Sequence, residues 1–294
     1  MKILLVGVFS MGSTDNWKLL ALRRLGHTVV TCPYRETPGR EHFPTGEPFD
    51  LVLVSKGTPL SAEDFAHLAT LGRHRLLWWP DPFENWDDAH TAALRTGDWS
   101  YAATSHAVLR KIEHALSDAP HVGEPVTVRS ARILEGCDCD GPHPEWAPDR
   151  IEPALLHFGA TTPRRAEVIG RLRVAGIRVD HLPRPLFGAN LQREVLRYAA
   201  VLGVNSSPDL YSNRVQTVLA MGGVMLQEDA PGIVEDFGGV FAGFIWTDDN
   251  LVEWARFVTS PGVRIGRNLA ARFYDRYRWE RVMERAVAFG TNQP

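Results

Sequence analysis

The chain alternates short, nearly continuous apolar runs with longer stretches whose apolar residues recur every three or four positions, and it does so twice. A strand that is apolar on consecutive residues is buried on both faces. When helices intervene, the result is a parallel sheet covered on both sides. In the first half the expected strands are Lys2–Val8, His27–Thr31, Leu51–Ser55, Arg75–Trp79 and Ser100–Thr104. The expected helices are Asp15–Leu25, Ser61–Leu71, Asp87–Arg95 and Ser105–Leu116. Ser61 with Asp64 three residues on is an acidic capping box, which fixes that helix start. The pattern stops between Cys137 and Pro153, where Pro, Gly and Asp crowd together, and this stretch is expected to be an interdomain linker.

The alternation then restarts. Strands are expected at Ala154–Phe158, Ile177–His181, Val201–Asn205, Gly223–Gln227 and Gly243–Trp246. The intervening helices are one with Thr162 as cap and Pro163 at its first position, then Leu191–Ala200, Ser212–Met221, Ile233–Phe237 and Asn250–Val258. Two more, Ile265–Tyr277 and Trp279–Phe289, close the chain. The fold class is therefore α/β with two doubly wound domains, divided as 1–150, 151–277 and a terminal helix 278–294. Ligands of such sheets bind beyond the carboxyl ends of the strands, so two facing domains would hold a cleft there.

Composition bounds the function. The 294 residues carry a net charge of −3, without the strong basic bias of a nucleic-acid-binding surface. No apolar run approaches the roughly 20 residues of a membrane span, and Met1–Phe9 reads as a buried first strand rather than a signal segment. Three cysteines (Cys32, Cys137 and Cys139) build no disulfide framework, so a reducing cytoplasm is expected. Cys137-x-Cys139 with His143 offers three metal-ligand types without an obvious fourth, and turn chemistry explains the spacing better. Asp248-Asp249 reads as a helix cap, and the chain has neither a GxGxxG fingerprint nor a Walker sequence.

The stretch from Ser206 to Phe237 is the most informative. It holds a polar loop, a helix start near Ser212 with Arg214 in its first turn, a Gly222-Gly223 turn, and a second helix start at Pro231-Gly232. An arginine in a first helical turn opposes the local dipole, which makes sense where both share an anion. A solvated surface arginine is the other reading. Ser212, Arg214, Ala220, Gly222-Gly223, Glu228-Asp229, Pro231-Gly232 and Glu235 together resemble the carboxy-terminal half of GT-B glycosyltransferases, nearest the CgeB-type, family-1-like branch. Phe158-Gly159 through Arg165, Ile133–Asp138 and Tyr277–Val282 extend the resemblance over Ile133–Phe289.

That resemblance implies two Rossmann-like domains. The first would bind an acceptor and the second a nucleotide-sugar donor, with the terminal helix returning to the first domain. It implies donor contacts at Gly159, Thr161, Arg165, Tyr211, Ser212, Asn213, Arg214, Thr217 and Glu235. The arginines would stabilise the leaving diphosphate, with no metal and no cofactor beyond the nucleotide sugar. Tyr211 either stacks on the donor or packs inside. The family commonly has a ribose-binding glutamate where this chain has Thr217, with Asp209 eight residues earlier. A threonine offers no bidentate carboxylate, so another residue holds the ribose, the donor differs, or donor binding is lost.

In the first half, Trp78–Trp86 ends a strand among aromatic residues. Asp81 stands there as catalytic acid/base or acceptor-orienting group, with Glu84 as the second candidate and a Pro-flanked structural turn as the plain alternative. Gly12, Ser13 and His106 are acceptor-side candidates. The implied reaction is sugar transfer from a nucleotide sugar, with retention favoured, to the hydroxyl of a small molecule, glycan, protein or modified DNA base. Nucleic acid enters only as an acceptor. A sugar-nucleotide 2-epimerase or a noncatalytic binding module on the same fold are the rival readings.

Overall fold

A computed structural model describes residues 1–36, 43–118, 128–146, 149–182, 185–238, 241–261, 263 and 269–292. The chain divides into two compact units, Met1–Glu135 with Trp279–Pro294, and Gly136–Arg278.

The first unit is built on a sheet of β1 (Lys2–Gly7), β2 (Thr28–Pro33), β3 (Phe49–Ser55), β4 (Gly72–Trp79), β5 (Ser100–Ala103) and β6 (Ser130–Arg132). All pairings are parallel, in the order β2-β1-β3-β4-β5-β6. Its helices are α1 (Thr14–Arg24), α2 (Ala62–Thr70), α3 (Asp88–Arg95), α4 (His106–Asp118) and the last helix of the chain, Trp279–Gly290. Alternate strand residues point to opposite faces, and both sets are buried. Ile3, Leu5, Leu51, Leu53, Leu76 and Trp78 pack with α1 and the terminal helix, while Leu4, Val6, Val52, Val54, Leu77 and Trp79 are fully buried between them in sequence. The capping box at α2 forms as expected: Asp64 N–H donates to Ser61 Oγ at 3.1 Å, and Ser61 N–H donates to Asp64 Oδ2 at 2.9 Å.

The second unit repeats the design with β7 (Glu152–His157), β8 (Val179–His181), β9 (Tyr198–Gly203), β10 (Met225–Glu228) and β11 (Gly243–Trp246), parallel in the order β11-β10-β9-β7-β8. Its helices are α5 (Pro163–Val174), α6 (Gly188–Arg197), α7 (Arg214–Ala220), α8 (Ile233–Phe237), α9 (Leu251–Thr259) and α10 (Ala270–Tyr277), so the terminal helix is α11. Thr162 caps α5, its Oγ1 accepting from Arg165 N–H at 3.3 Å, and Pro163 takes the first position, where its missing N–H costs nothing.

Three differences from the sequence reading stand out. The break between units falls at Glu135–Gly136, not at residue 150. The stretch expected to be a linker belongs to the second unit: Cys137, Cys139 and Gly141 are buried, and Cys137 N–H donates to Tyr277 O at 3.0 Å. β6, a three-residue edge strand, carries no periodic signal and was not expected. The start of the helix expected at Ile265 lies outside the described residues, and α10 is described from Ala270.

Candidate functional site

Strand order reverses between β7 and β9 in the second unit, and between β1 and β3 in the first. At such a reversal the loops leaving adjacent strands run to opposite faces and open a crevice at the carboxyl edge. In the second unit the helices that follow these loops carry Arg165 and Arg214 in their first turns. Arg165, buried, reaches back from α5. Its Nε donates to Val204 O at 3.3 Å and its Nη1 to Ala160 O at 2.6 Å, so one guanidinium ties the loops after β7 and β9. Arg214, at the start of α7, lies over the Phe158 ring with its Cζ 5.0 Å from the centroid, and its N–H donates to Ser212 Oγ at 3.3 Å. Gly159 makes room for it. Its φ is +95°, and a Cβ there would sit 2.6 Å from Arg214 Nη2.

Positive charge predominates in this corner, opposed at a distance by Glu228, whose carboxylate partly offsets the effect of burial on Arg165. Burial, and then the neighbouring Arg165, pull Arg214 down to about 9, and burial also lowers Arg165 from the ordinary arginine value. Neither guanidinium has a carboxylate within ion-pair distance among the described residues. His157, fully buried at the end of β7, is pushed down to about 4 by burial and then by Arg214. Its Nδ1 faces Leu202 O at 3.2 Å. A carbonyl only accepts, so Nδ1 carries the hydrogen and Nε2 is a bare acceptor, with no partner among the described residues. Arg164, one residue from Arg165, is the contrast. It donates to Glu228 at 3.0 Å and Asp248 at 2.9 Å, and these bonds raise its pKa. The paired arginine serves the fold, while Arg165 and Arg214 concentrate positive potential that an anion would relieve.

The other expected donor residues divide. Gly159 and Thr161 are exposed on the loop after β7, and Ser212 stands beside Arg214. Three others are engaged in packing. Tyr211 is buried, its hydroxyl donating to Asp236, with its ring 5.2 Å from Phe237. Thr217 is buried and its Oγ1 accepts Asp138 N–H at 2.9 Å. Asn213 Nδ2 donates to Asp138 Oδ2 at 2.9 Å. The loop before α7 is thus clasped to the segment around Cys137–Gly141. Glu235 is exposed in the first turn of α8. Cys137 and Cys139 are free thiols, and His143 stacks on Trp146 at 4.0 Å. Among the described residues no group of three His, Cys, Asp or Glu is arranged to hold a metal ion.

In the first unit, Asp81 lies just beyond β4, a quarter exposed, in an ion pair with Lys56 just beyond β3. Asn85 Nδ2 also donates to Asp81 Oδ2, at 3.3 Å. Lys56 has φ +67°, a left-handed conformation that costs a non-glycine residue about 1–2 kcal/mol. A part-exposed ion pair returns about 0–1 kcal/mol, so the pair alone does not offset the strain. The surroundings hold it instead. Lys56 N–H donates to Trp78 O at 2.9 Å, and Lys56 O accepts from His90 Nε2 at 2.9 Å. His90 is fully buried against Phe65, Trp79 and Trp86, with Asp87 Oδ1 2.5 Å from its Nδ1. Lys56 falls in a loop that strand-end geometry points to, but neither it nor His90 could be named from sequence, because neither has a local pattern.

Glu84 is exposed, 3.8 Å from Lys111. Gly12 and His106 are exposed, and Ser13 caps α1 by accepting Asp15 N–H at 3.2 Å. A buried polar cluster was also missed. Lys18 Nζ donates to Asp15 Oδ1 at 2.9 Å and Ser55 Oγ at 2.7 Å, above the Trp78 ring at 4.8 Å. Asp15 Oδ2 accepts Val8 N–H at 2.8 Å, which sets the course of the loop after β1. Asp15, Lys18 and Leu22 share one helical stripe, so a charged pair on an apolar stripe was the available signal.

No protein-family model matches the chain, and no curated protein matches its sequence. Solved structures do. Anabaena HepE, solved with UDP and glucose, aligns over 98% of both chains at 13% identity and a TM-score of 0.61. The sucrose-phosphate synthase of Thermosynechococcus elongatus aligns over 98% of this chain and 97% of its own, at 13% identity and 0.60. AviGT4, a glycosyltransferase involved in avilamycin A biosynthesis, aligns over 98% and 96%, at 15% identity and 0.55. These neighbours are GT-B glycosyltransferases. The fold of this chain, two Rossmann-like units, is theirs.

Proposed function

We propose that the chain is a glycosyltransferase that moves a sugar from a UDP-linked donor to an acceptor hydroxyl. The observation that carries this reading is the Arg165–Arg214 pair. Two like charges stand at the strand reversal of the second unit with no carboxylate in ion-pair contact among the described residues, and Gly159 leaves room beside Arg214. HepE, on the same fold, was solved with UDP and with UDP-glucose.

In this reading the donor diphosphate lies against Arg214 and Arg165, with Gly159, Thr161 and Ser212 on the flanking loops. As the glycosidic bond breaks, negative charge grows on the diphosphate, and guanidinium groups already in place stabilise it without reorganising. That stabilisation needs no metal. Thr217 is committed to Asp138, so the ribose falls to another group, and Glu235 is the exposed carboxylate that the resemblance offers. The first unit binds the acceptor, and Asp81 orients its hydroxyl and takes its proton.

Calorimetric titration with UDP, ADP, GDP and dTDP tests the donor assignment. UDP is expected to bind preferentially, and Arg214→Ala to weaken it at least tenfold, about 1.4 kcal/mol. If none of the nucleotides binds, or if Arg214→Ala binds as well as the parent, the donor assignment fails.

A further inference from the structure

Lys56 is out of place as a structural residue. A loop that needs a left-handed backbone normally uses Gly or Asn, and Gly57 follows immediately, at φ +87°. The backbone of Lys56 is nonetheless clamped from both sides, through Trp78 O and through His90 Nε2, each at 2.9 Å. The next residue is closed in as well: a Cβ on Gly57 would come within 2.9 Å of Phe65 and 3.4 Å of His90 Nε2. The root of the side chain is therefore fixed at the carboxyl edge of β3, while the ammonium, at the end of a flexible four-carbon stem in a side chain about a quarter exposed, is paired with Asp81. The partner it meets now, Asp81, keeps Asn85 Nδ2 if Lys56 swings away. Exposed Arg35, whose Nε donates to Thr58 O at 3.1 Å, sets a second cation on the same loop.

We propose that Lys56 is the acceptor-recognising cation of the first unit. It binds the carboxylate or phosphate of an anionic, hydroxyl-bearing acceptor, and by doing so uncovers the Asp81 carboxylate that it pairs with at rest. This deepens the glycosyltransferase reading and rests on its assignment of the acceptor to this unit. The acceptor class it names is a sugar acid, hydroxy acid or sugar phosphate rather than a neutral alcohol.

The test is calorimetric titration of the full chain with UDP at saturation, so that phosphate ligands cannot occupy the arginine pair. The probes are glucuronate, glycerate, glucose 6-phosphate and glycerol 3-phosphate against neutral glucose and glycerol. At least one anion is expected to bind ten times more tightly than its neutral counterpart, and the carboxylate and phosphate arms show which group is taken. Lys56→Arg keeps that preference. Lys56→Gly relieves the backbone, so its Tm should rise by about 2–4 °C, yet the preference should vanish. A merely structural lysine would not separate the two readouts in this way. The proposal is overturned if no anion is preferred, or if the preference survives in Lys56→Gly. UDP affinity, measured in the same variants, is expected to be unchanged. A chain that fails to bind UDP loses the donor assignment, while the anion preference and its loss in Lys56→Gly are still read directly.

Discussion

His157 shows how a single side chain ties the candidate site to stability. Its Nδ1–H is committed to Leu202 O, and burial with two nearby guanidinium groups keeps the ring neutral down to about pH 4. In the unfolded chain an ordinary histidine titrates near 6.5. Between these values the unfolded state binds the extra proton, so stability falls as pH drops through 6.5 towards 4 and is fully present above 6.5. The whole window is worth about 3 kcal/mol. His157→Gln keeps a donor for Leu202 O and removes the titration. Urea unfolding at pH 7 and pH 4.5 should show the parent losing about 2–3 kcal/mol more than this variant, and equal losses would refute the assignment. Arg214 was visible in the sequence because it stands in the first turn of an expected helix, where a cation opposes the dipole, and because the resemblance runs through it. His157 and Lys56 were not, because their environments are made by strands 45 and 22 residues away, through Leu202 and Trp78.

At the scale of elements, what could be read depended on whether a pattern was local. β1, β3, β7 and β9 are apolar runs, and α2 and α5 are announced by Ser61 and Thr162, so these elements and their bounds lay close to expectation. The stretch 137–153 did not. Its prolines and glycines rightly exclude a helix or strand interior, but they say nothing about packing. In the fold its backbone groups are met by distant partners: Asp138 N–H by Thr217, Gly141 O by Gln192, and Cys137 N–H by Tyr277 O. Thr217 is therefore a clasp rather than a failed glutamate. Thr217→Val, which keeps the shape and removes the acceptor, should lower the stability of the second unit by about 1–3 kcal/mol, read as a lower urea midpoint. Thr217→Glu should destabilise more, since it buries a carboxylate, and should not tighten UDP. Tighter UDP binding in Thr217→Glu would show instead that the position faces the donor ribose.

For the whole molecule, the consequential feature is that the first unit is not continuous in sequence. The chain leaves it at Glu135, builds the second unit over Gly136–Arg278, and returns with α11. That helix is core rather than trim. Trp279, Val282, Met283, Ala286 and Val287 are all at most 5% exposed, packed with Ile3, Leu5, Leu51, Leu53 and Leu76. Trp279 also stands edge-on to Trp78, 6.1 Å between centroids. Burying large side chains of this kind stabilises by about 1.5–3 kcal/mol each. Four of them together roughly match the 5–15 kcal/mol that holds a typical domain folded. A chain ended at residue 278 should therefore lose the cooperative unfolding of the first unit, while the second unit, complete in sequence, keeps its own. Differential scanning calorimetry with limited proteolysis distinguishes the outcomes. A protease-resistant fragment covering about residues 136–278, with the amino-terminal strands digested, is the expected result. Two transitions at their original temperatures would mean instead that α11 is dispensable, and that the sheet of the first unit closes its core without it.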